Sequence, residues 1–296
     1  MKKKAIIISI KGLNLSNKEK LLLSKEKPWG IILFKRNIQS FYQLKNLIKK
    51  IRKYTKDNKF PILIDEEGSS VSRLNNILSH NLNANFFGKF YKKDRKTAIH
   101  LYTHYLSSLC KNLNTIGINI NTIPVLDVLR KNTNKIIGKR SFSEKKEIVK
   151  VLGEITVKVC HAHKILNVIK HIPGHGCSKI DSHKALPKVD LNKKTLNNID
   201  FYPFKDSSAK LAMTAHILYK KIDSTNVSTF SKKIIREIIR KKIGFKGILM
   251  SDDISMKALE KDIVQNAKKS LAAGCNLVLY CAGNIEDNFK LMKSIP

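Results

Sequence analysis

The chain has 296 residues, of which 42% are hydrophobic and 27% are charged, and this balance excludes a disordered chain because it supplies enough apolar material for a packed core. Lys and Arg outnumber Asp and Glu by 57 to 23, which gives a formal net charge of +34. The five cysteines are odd in number and irregularly spaced, so they indicate free thiols in a reducing compartment and exclude a disulfide framework.

The positive charge raises the question of a nucleic-acid partner, because clustered Lys and Arg release counterions from phosphates. Lys is instead spread from end to end and accompanies abundant Asn and Ile, the composition that AT-rich codons favour. We therefore interpret the charge as a compositional bias and expect no specific nucleic-acid partner.

No targeting or membrane segment is predicted. The N-terminal apolar run, residues 5–10, is shorter than the roughly 7 to 15 residues of a secretory signal. No uninterrupted apolar stretch approaches the roughly 20 residues that cross a bilayer. The sequence therefore predicts a cytoplasmic protein without a membrane partner.

Short apolar runs recur along the chain at intervals that leave room for a helix. They predict strands at residues 5–10, 30–34, 61–64, 118–123, 167–170, 211–214, 247–250 and 277–280. Helical patterns lie at residues 41–54, 98–116, 146–166 and 231–243, with Ser231 as the N-cap of the last. Repeated strand and helix units indicate a parallel sheet, and eight of them close a barrel. We predict an α/β fold, a single (β/α)8 TIM-type barrel over residues 1–296.

Polar side chains stand where five of the eight predicted strands end: Asp65, Asp127, Lys170 with His171, His216 and Asp252. Active sites of such barrels lie at the C-terminal ends of the strands. A single polar residue there would carry no meaning, but five at one rim are poorly explained by core packing. We therefore place the active site at this rim. The eighth strand ends in Cys281, for which no role is predicted.

The densest segment is residues 170–183, which holds three histidines, two lysines and an aspartate. A metal site is one possible interpretation, since metal ligands could come from His161, His163, His171, His175 and Cys160. Their spacing matches neither a HxxxH nor a CxxC pattern, and the Gly-rich stretch lacks the arrangement of a phosphate-binding loop. The sequence therefore predicts no metal and no cofactor.

The segment Lys170-His171-Ile172-Pro173-Gly174-His175-Gly176, followed after four residues by Asp181-Ser182-His183, resembles the loop of glycoside hydrolase family 3 β-N-acetylglucosaminidases. Further segments match the family in the same order, at residues 32–37, 64–68 with 73–74, 124–128, 137–142, 213–216, 244–248 and 251–256. The resemblance covers nearly the whole chain and leaves no inserted domain unexplained.

The resemblance implies a retaining mechanism with a covalent glycosyl-enzyme. Asp252 is the implied nucleophile, while Asp253 is expected to cap the following helix. In place of the usual second carboxylate, the family loop presents a histidine as acid and base, here His183, with Asp181 orienting its ring. An imidazole can donate and accept a proton near neutral pH, and a neutral base avoids repulsion with Asp252.

Substrate-binding roles carried over from the family fall on Asp65, Arg73, Arg140, Lys170 and His171, which are expected to contact the hydroxyl and acetamido groups of the terminal sugar. The two arginines are notable in a chain that otherwise favours lysine, because a planar guanidinium binds oxygen atoms in pairs. His175 and His216 are expected to support the site without contacting substrate.

Two departures from the family pattern are visible. Gly68 is followed by Ser69 and Ser70 where the family has Gly-Arg, which weakens the expectation of a standard substrate rim. The chain ends at Pro296, soon after the eighth predicted strand, so it lacks the helical tail of longer relatives and we expect the last helix to close the barrel incompletely.

Together these features predict a monomeric exo-β-N-acetylglucosaminidase that removes terminal N-acetylglucosamine from peptidoglycan-derived muropeptides, a small carbohydrate substrate. Two alternatives remain open, a family 3 β-glucosidase and a degenerate barrel that binds anionic polymers. The loop favours the first function, because glucosidases of the family generally take their acid and base from a separate domain. An aromatic stripe interleaved with basic residues would favour polymer binding, and the 7% aromatic content shows none.

Overall fold

Residues 3–79 and 81–296 are described by a computed structural model, and their strands are short, apolar and parallel. The strands are β1 (Lys4–Ile8), β2 (Pro28–Leu33), β3 (Ile62–Ile64), β4 (Ile120–Asn121), β5 (Leu166–Ile172), β6 (Lys188–Val189), β7 (Leu211–Thr214), β8 (Leu218–Tyr219), β9 (Ile248–Asp253) and β10 (Leu277–Leu279). A closed parallel barrel contains eight of them in the order β1, β2, β3, β4, β5, β7, β9 and β10. The remaining two, β6 and β8, pair with each other outside it. The predicted barrel and the positions of its eight strands are confirmed.

Eight α-helices are described: α1 (Asn17–Lys25), α2 (Phe41–Thr55), α3 (Ala84–Lys93), α4 (Arg95–Ile116), α5 (Lys146–Ala162), α6 (Lys193–Asn198), α7 (Ile263–Ala273) and α8 (Ile285–Ser294). A π-helix spans Ile234–Lys242. None of the helices in the described part of the chain is long and apolar enough to cross a membrane.

Both faces of the barrel strands are buried, which explains why they read as continuous apolar runs. One set of side chains fills the barrel interior: Ile7, Ile32, Leu63, Ile120, Val168, Leu211, Met213, Met250, Leu277 and Leu279. A larger set packs between the sheet and the surrounding helices. Residues of alternating orientation thus build two apolar layers, and the polar residues are left for the strand ends.

The predicted helices are confirmed, with two adjustments. The helix expected over 146–166 ends at Ala162, because β5 already begins at Leu166. The segment around 234–242 is a π-helix, which apolar periodicity alone does not distinguish from an α-helix. Helical residues already begin at Lys232, and Ser231 directly before them accepts the N–H of Ile234 with its Oγ at 3.0 Å, as an N-cap does.

The expectation of incomplete closure at the C-terminal end is wrong. Helix α8 follows β10, and its Leu291 and Met292 are fully buried. The side-chain amide of Asn288 donates to the carbonyl of Ser9 at 3.0 Å, and the N–H of Ala5 donates to the carbonyl of Pro296 at 3.2 Å. The C-terminal residues therefore contact the N-terminal ones directly, and β10 pairs with β1 in the closed barrel.

Candidate active site

At the C-terminal rim, Asp65 is held by two cations. The Arg73 guanidinium lies 3.0 Å from one carboxylate oxygen, and the Lys170 ammonium lies 3.1 Å from the other, which also accepts from the hydroxyl of Thr122. Burial penalises the charged carboxylate, but Lys170 and Arg73 outweigh it and hold the pKa of Asp65 well below its usual range. Two of the five predicted substrate-binding residues, Arg73 and Lys170, therefore contact a third, Asp65.

A second carboxylate, Glu67, connects this group to Arg140. Its oxygens lie 2.6 Å from the Lys170 ammonium and 2.7 and 3.0 Å from two nitrogens of Arg140, a paired geometry. Burial raises the pKa of Glu67, but Arg140 and Lys170 prevail and lower it to about 2. Glu67 was not predicted as a site residue, although it lies in the acidic run directly after β3.

His171, the fifth predicted substrate-binding residue, is fixed by Asp127. The fully buried Asp127 carboxylate lies 2.7 Å from Nδ1 of His171 and also accepts the backbone N–H of His175 at 2.6 Å. Burial opposes ionisation of Asp127, but the neighbouring His171 keeps its pKa below the ordinary value. An ionised acceptor at Nδ1 selects the tautomer and orientation of the His171 ring.

Asp252, the predicted nucleophile, lies near the end of β9 on the same rim. Its backbone N–H donates to the hydroxyl of Thr214 at 3.4 Å, and its Oδ1 accepts the N–H of Asp253 at 2.8 Å. Burial alone would raise the pKa of Asp252, but His216 and His171 lower it below the ordinary value. The lowered pKa keeps the half-buried carboxylate ionised, as a nucleophile must be.

His216 is fully buried beneath this carboxylate. Its Nδ1 lies 2.7 Å from the hydroxyl of Thr229, and its Nε2 lies 3.0 Å from the backbone carbonyl of Asp253. Burial lowers the pKa of His216. These contacts fix the segment that carries Asp252, in line with the supporting role expected for His216.

The expectation that Asp253 caps the following helix is wrong, because α7 begins at Ile263 and is capped by Asp262. The Asp253 carboxylate instead accepts the N–H of Ser255 at 3.0 Å and the N–H of Cys281 at 3.1 Å. It thus ties the loop after β9 to the end of β10. Burial raises the pKa of Asp253, in contrast to its neighbour Asp252.

The predicted acid and base, His183, lies on the long loop after β5. Its Nδ1 lies 2.9 Å from the Asp181 carboxylate. Burial raises the pKa of Asp181, but the hydrogen bonds from His183 outweigh burial, so the pKa lies below its ordinary value. The His183 side chain is 59% exposed, whereas that of Asp181 is 16% exposed. His183 is also among the groups whose charge lowers the pKa of Asp252, the predicted nucleophile.

The structure thus brings all eight predicted site residues to one rim. Sequence reasoning missed Glu67 and Thr122, which lie directly on the Asp65 and Lys170 group. Within residues 3–79 and 81–296, no three His, Cys, Asp or Glu side chains are arranged to hold a metal ion. The five cysteines are free thiols, as predicted.

Comparison with known proteins matches residues 2–295 to the glycosyl hydrolase family 3 N terminal domain. A β-hexosaminidase from Psychromonas ingrahamii is 31% identical over 97% of this chain, which spans 86% of that protein. β-Hexosaminidase A from Pseudoalteromonas piscicida is 33% identical over 80% of the chain, but there the chain spans only 43% of the relative.

Solved structures give the same grouping. NagZ from Neisseria gonorrhoeae, in complex with N-trifluoroacetyl-D-glucosamine, superposes with a TM-score of 0.89 at 31% identity, covering 99% of this chain and 86% of that one. A family 3 β-N-acetylglucosaminidase from a Paenibacillus species superposes with a TM-score of 0.90 at 27% identity, covering 98% of this chain and 56% of that one. Because the family match runs through nearly the whole barrel, this chain belongs to the β-hexosaminidases of glycosyl hydrolase family 3, as its motifs predicted.

Proposed function

We propose that this protein is a retaining exo-β-N-acetylglucosaminidase that removes terminal non-reducing N-acetylglucosamine from peptidoglycan-derived muropeptides in the cytoplasm, during cell-wall recycling. The observation that carries the mechanism is the presence of an ionised, half-buried Asp252 at the end of β9 together with a hydrogen-bonded His183–Asp181 pair on the loop after β5. A nucleophile and a proton carrier are both needed for retention, and one domain supplies both here.

In the first step the Asp252 carboxylate attacks the anomeric carbon of the bound sugar. The bond from that carbon to the glycosidic oxygen breaks, and protonated His183 transfers its proton to the departing oxygen. In the second step neutral His183 accepts a proton from water as that water attacks the anomeric carbon. The bond to Asp252 then breaks, which restores the carboxylate and the protonated imidazole.

Asp181 orients the His183 ring for proton transfer. Its carboxylate accepts from Nδ1 of His183 at 2.9 Å, which leaves Nε2 as the atom that exchanges the proton. The exposure of the His183 ring also gives a bulky leaving group and the incoming water access to it. Because His183 alternates between a cationic and a neutral ring, it never adds a second negative charge beside the free Asp252 carboxylate.

The Asp65 and Glu67 group provides the proposed sugar subsite. Two carboxylates and three cations, Lys170, Arg73 and Arg140, offer both acceptors and donors to sugar hydroxyl and acetamido groups. His171 adds a fixed ring at the same rim. The related NagZ of Neisseria gonorrhoeae binds N-trifluoroacetyl-D-glucosamine, which supports an N-acylated sugar in this subsite.

The decisive experiment compares an aryl β-N-acetylglucosaminide with the matching β-glucoside. We expect hydrolysis of the first at a kcat/KM far above that of the second, and release of N-acetylglucosamine from a purified muropeptide. Faster cleavage of the glucoside would support the β-glucosidase alternative. Hydrolysis of neither would identify a non-catalytic barrel.

A further inference from the structure

The loop that carries His183, residues 173–183, is buried and hydrogen-bonded where it leaves the barrel. The hydroxyl of Tyr219 donates to the carbonyl of Gly174 at 2.5 Å, and the hydroxyl of Thr133 donates to that of Gly176 at 2.6 Å. A Cβ atom on Gly176 would lie 1.9 Å from the carbonyl oxygen of Val128, so only glycine allows this approach. The first residues of the loop therefore pack closely against the segment that contains Val128.

His175 lies between these two glycines and is buried. Its backbone N–H is held by Asp127, and its Nε2 lies 3.2 Å from the hydroxyl of Ser182, while Nδ1 has no hydrogen-bond partner among the described residues. Burial lowers the pKa of His175 to about 4, so the ring is neutral and carries one N–H. With the proton on Nε2, that N–H has a partner in Ser182.

Ser182 separates the two members of the proton-transferring pair, Asp181 and His183. It is 4% exposed, in contrast to the open ring of His183. The hydrogen bond between Ser182 and His175 therefore joins the exposed part of the loop to its buried first residues. Asp127 lies at the other end of this chain of contacts and also fixes His171 in the sugar subsite.

We propose that His175 is a positioning residue, which holds His183 over the glycosidic oxygen through its hydrogen bond to Ser182. This inference rests on the proposed role of His183 as acid and base. Proton transfer is sensitive to geometry, and a misplacement of about 1 Å can cost about 100-fold in rate. Loss of the bond should therefore weaken proton transfer while leaving Asp252 and the sugar subsite intact.

The test uses Ser182→Ala, Ser182→Thr and His175→Gln in the full chain, each assayed with a natural N-acetylglucosamine disaccharide and with a nitrophenyl β-N-acetylglucosaminide. We expect Ser182→Ala to lower kcat/KM for the disaccharide by about 10- to 100-fold, and that for the activated glycoside by less than about 3-fold. Ser182→Thr, which keeps the hydroxyl, should restore most of the lost activity. His175→Gln should resemble Ser182→Ala.

Two further variants separate this inference from the proposed function. On a His183→Ala background, Ser182→Ala should cause no additional loss if it acts through His183. Ser270→Ala, which removes another buried serine hydroxyl bonded to the carbonyl of Asn266 at 2.8 Å, is the matched control for stability alone.

An equal loss for both substrates in Ser182→Ala, or no loss for either, would overturn the positioning role even if His183→Ala discriminates between them. Failure of His183→Ala itself to discriminate would instead overturn the acid and base assignment. Melting temperatures of all variants show whether the loss follows unfolding.

Discussion

Two adjacent aspartates at the end of β9 have opposite titration behaviour, and their neighbours explain it. Burial disfavours the charge on both, but Asp252 faces the histidines His216 and His171, whereas Asp253 lies beside the Asp252 charge. Asp252 is thus the carboxylate held ionised, which is the form that its proposed role as nucleophile requires. The Asp253 carboxylate instead accepts backbone N–H groups from Ser255 and from Cys281, which lies just after β10.

We expect Asp252→Asn to abolish turnover of an aryl β-N-acetylglucosaminide while the protein stays folded, because an amide cannot form the glycosyl-enzyme. The measurements are the hydrolysis rate and the circular dichroism melting curve. A 2-fluoro sugar inactivator should add its mass to the peptide that contains Asp252 in the unmodified protein. Near-normal turnover, or labelling of another peptide, would move the nucleophile elsewhere.

His183→Ala should affect substrates according to their leaving groups. A natural disaccharide needs a proton on the departing oxygen and should lose about 100- to 10,000-fold, whereas a nitrophenyl glycoside needs little such help. Hydrolysis of the covalent intermediate should then become limiting and appear as a burst, and azide, which needs no base, should restore turnover.

Asp181→Asn should show a milder form of the same pattern, because the ring of His183 remains but loses the partner that orients it. If His183→Ala slows both substrates equally and azide rescues neither, His183 positions the substrate and moves no proton.

At the scale of elements, the sequence located every barrel strand because parallel strands buried on both faces are short apolar runs that polar residues terminate. Residue pairings were harder to predict. Glu67 reaches Arg140 across 73 positions of sequence, and only the closed barrel brings them together. Asp253 was misassigned because a carboxylate after a strand resembles a helix cap until the loop up to Asp262 is known.

The ion pairs of Glu67 with Lys170 and Arg140 should make the free energy of unfolding depend on pH in the acidic range. Because its pKa is lowered to about 2 in the folded protein, the stabilisation from ionised Glu67 is fully present above its ordinary pKa of 4.5 and is lost as pH falls toward 2. We expect Glu67→Gln to reduce the free energy of unfolding at pH 7 by about 3 to 5 kcal/mol, since it leaves buried cations underpaired.

Denaturant unfolding at several pH values checks this. The difference between wild type and Glu67→Gln should narrow between pH 4.5 and 2. Glu260→Gln is the matched control, because Glu260 pairs with Lys269 on the surface, with side chains 61% and 44% exposed, and exposed pairs contribute about 0 to 1 kcal/mol. A difference that stays constant with pH would mean that the charge of Glu67 contributes nothing.

At the scale of the whole molecule, the net charge of +34 has no direct part in the chemistry proposed for the C-terminal rim of the barrel. The cations at the proposed sugar subsite, Lys170, Arg73 and Arg140, are each paired with a carboxylate. Exposed aromatic side chains include Phe41 and Tyr42 on α2 and Phe86 on α3, two different helices. This arrangement does not form the stripe of aromatic and basic side chains that stacks on single strands.

Because the lysines of this chain are spread over its whole length, we expect them to bind duplex DNA through its phosphates and without sequence preference. We expect a dissociation constant of about 1 to 100 μM at physiological salt, equal for unrelated sequences, as is typical of non-specific binding. Fluorescence anisotropy with two labelled duplexes measures both the affinity and its sequence dependence. Raising salt from about 50 to 200 mM should weaken binding by about 1,000-fold or more if six or more phosphates are contacted, because each contact releases counterions. Submicromolar binding that prefers one duplex at physiological salt would instead show that the charge has a specific nucleic-acid partner.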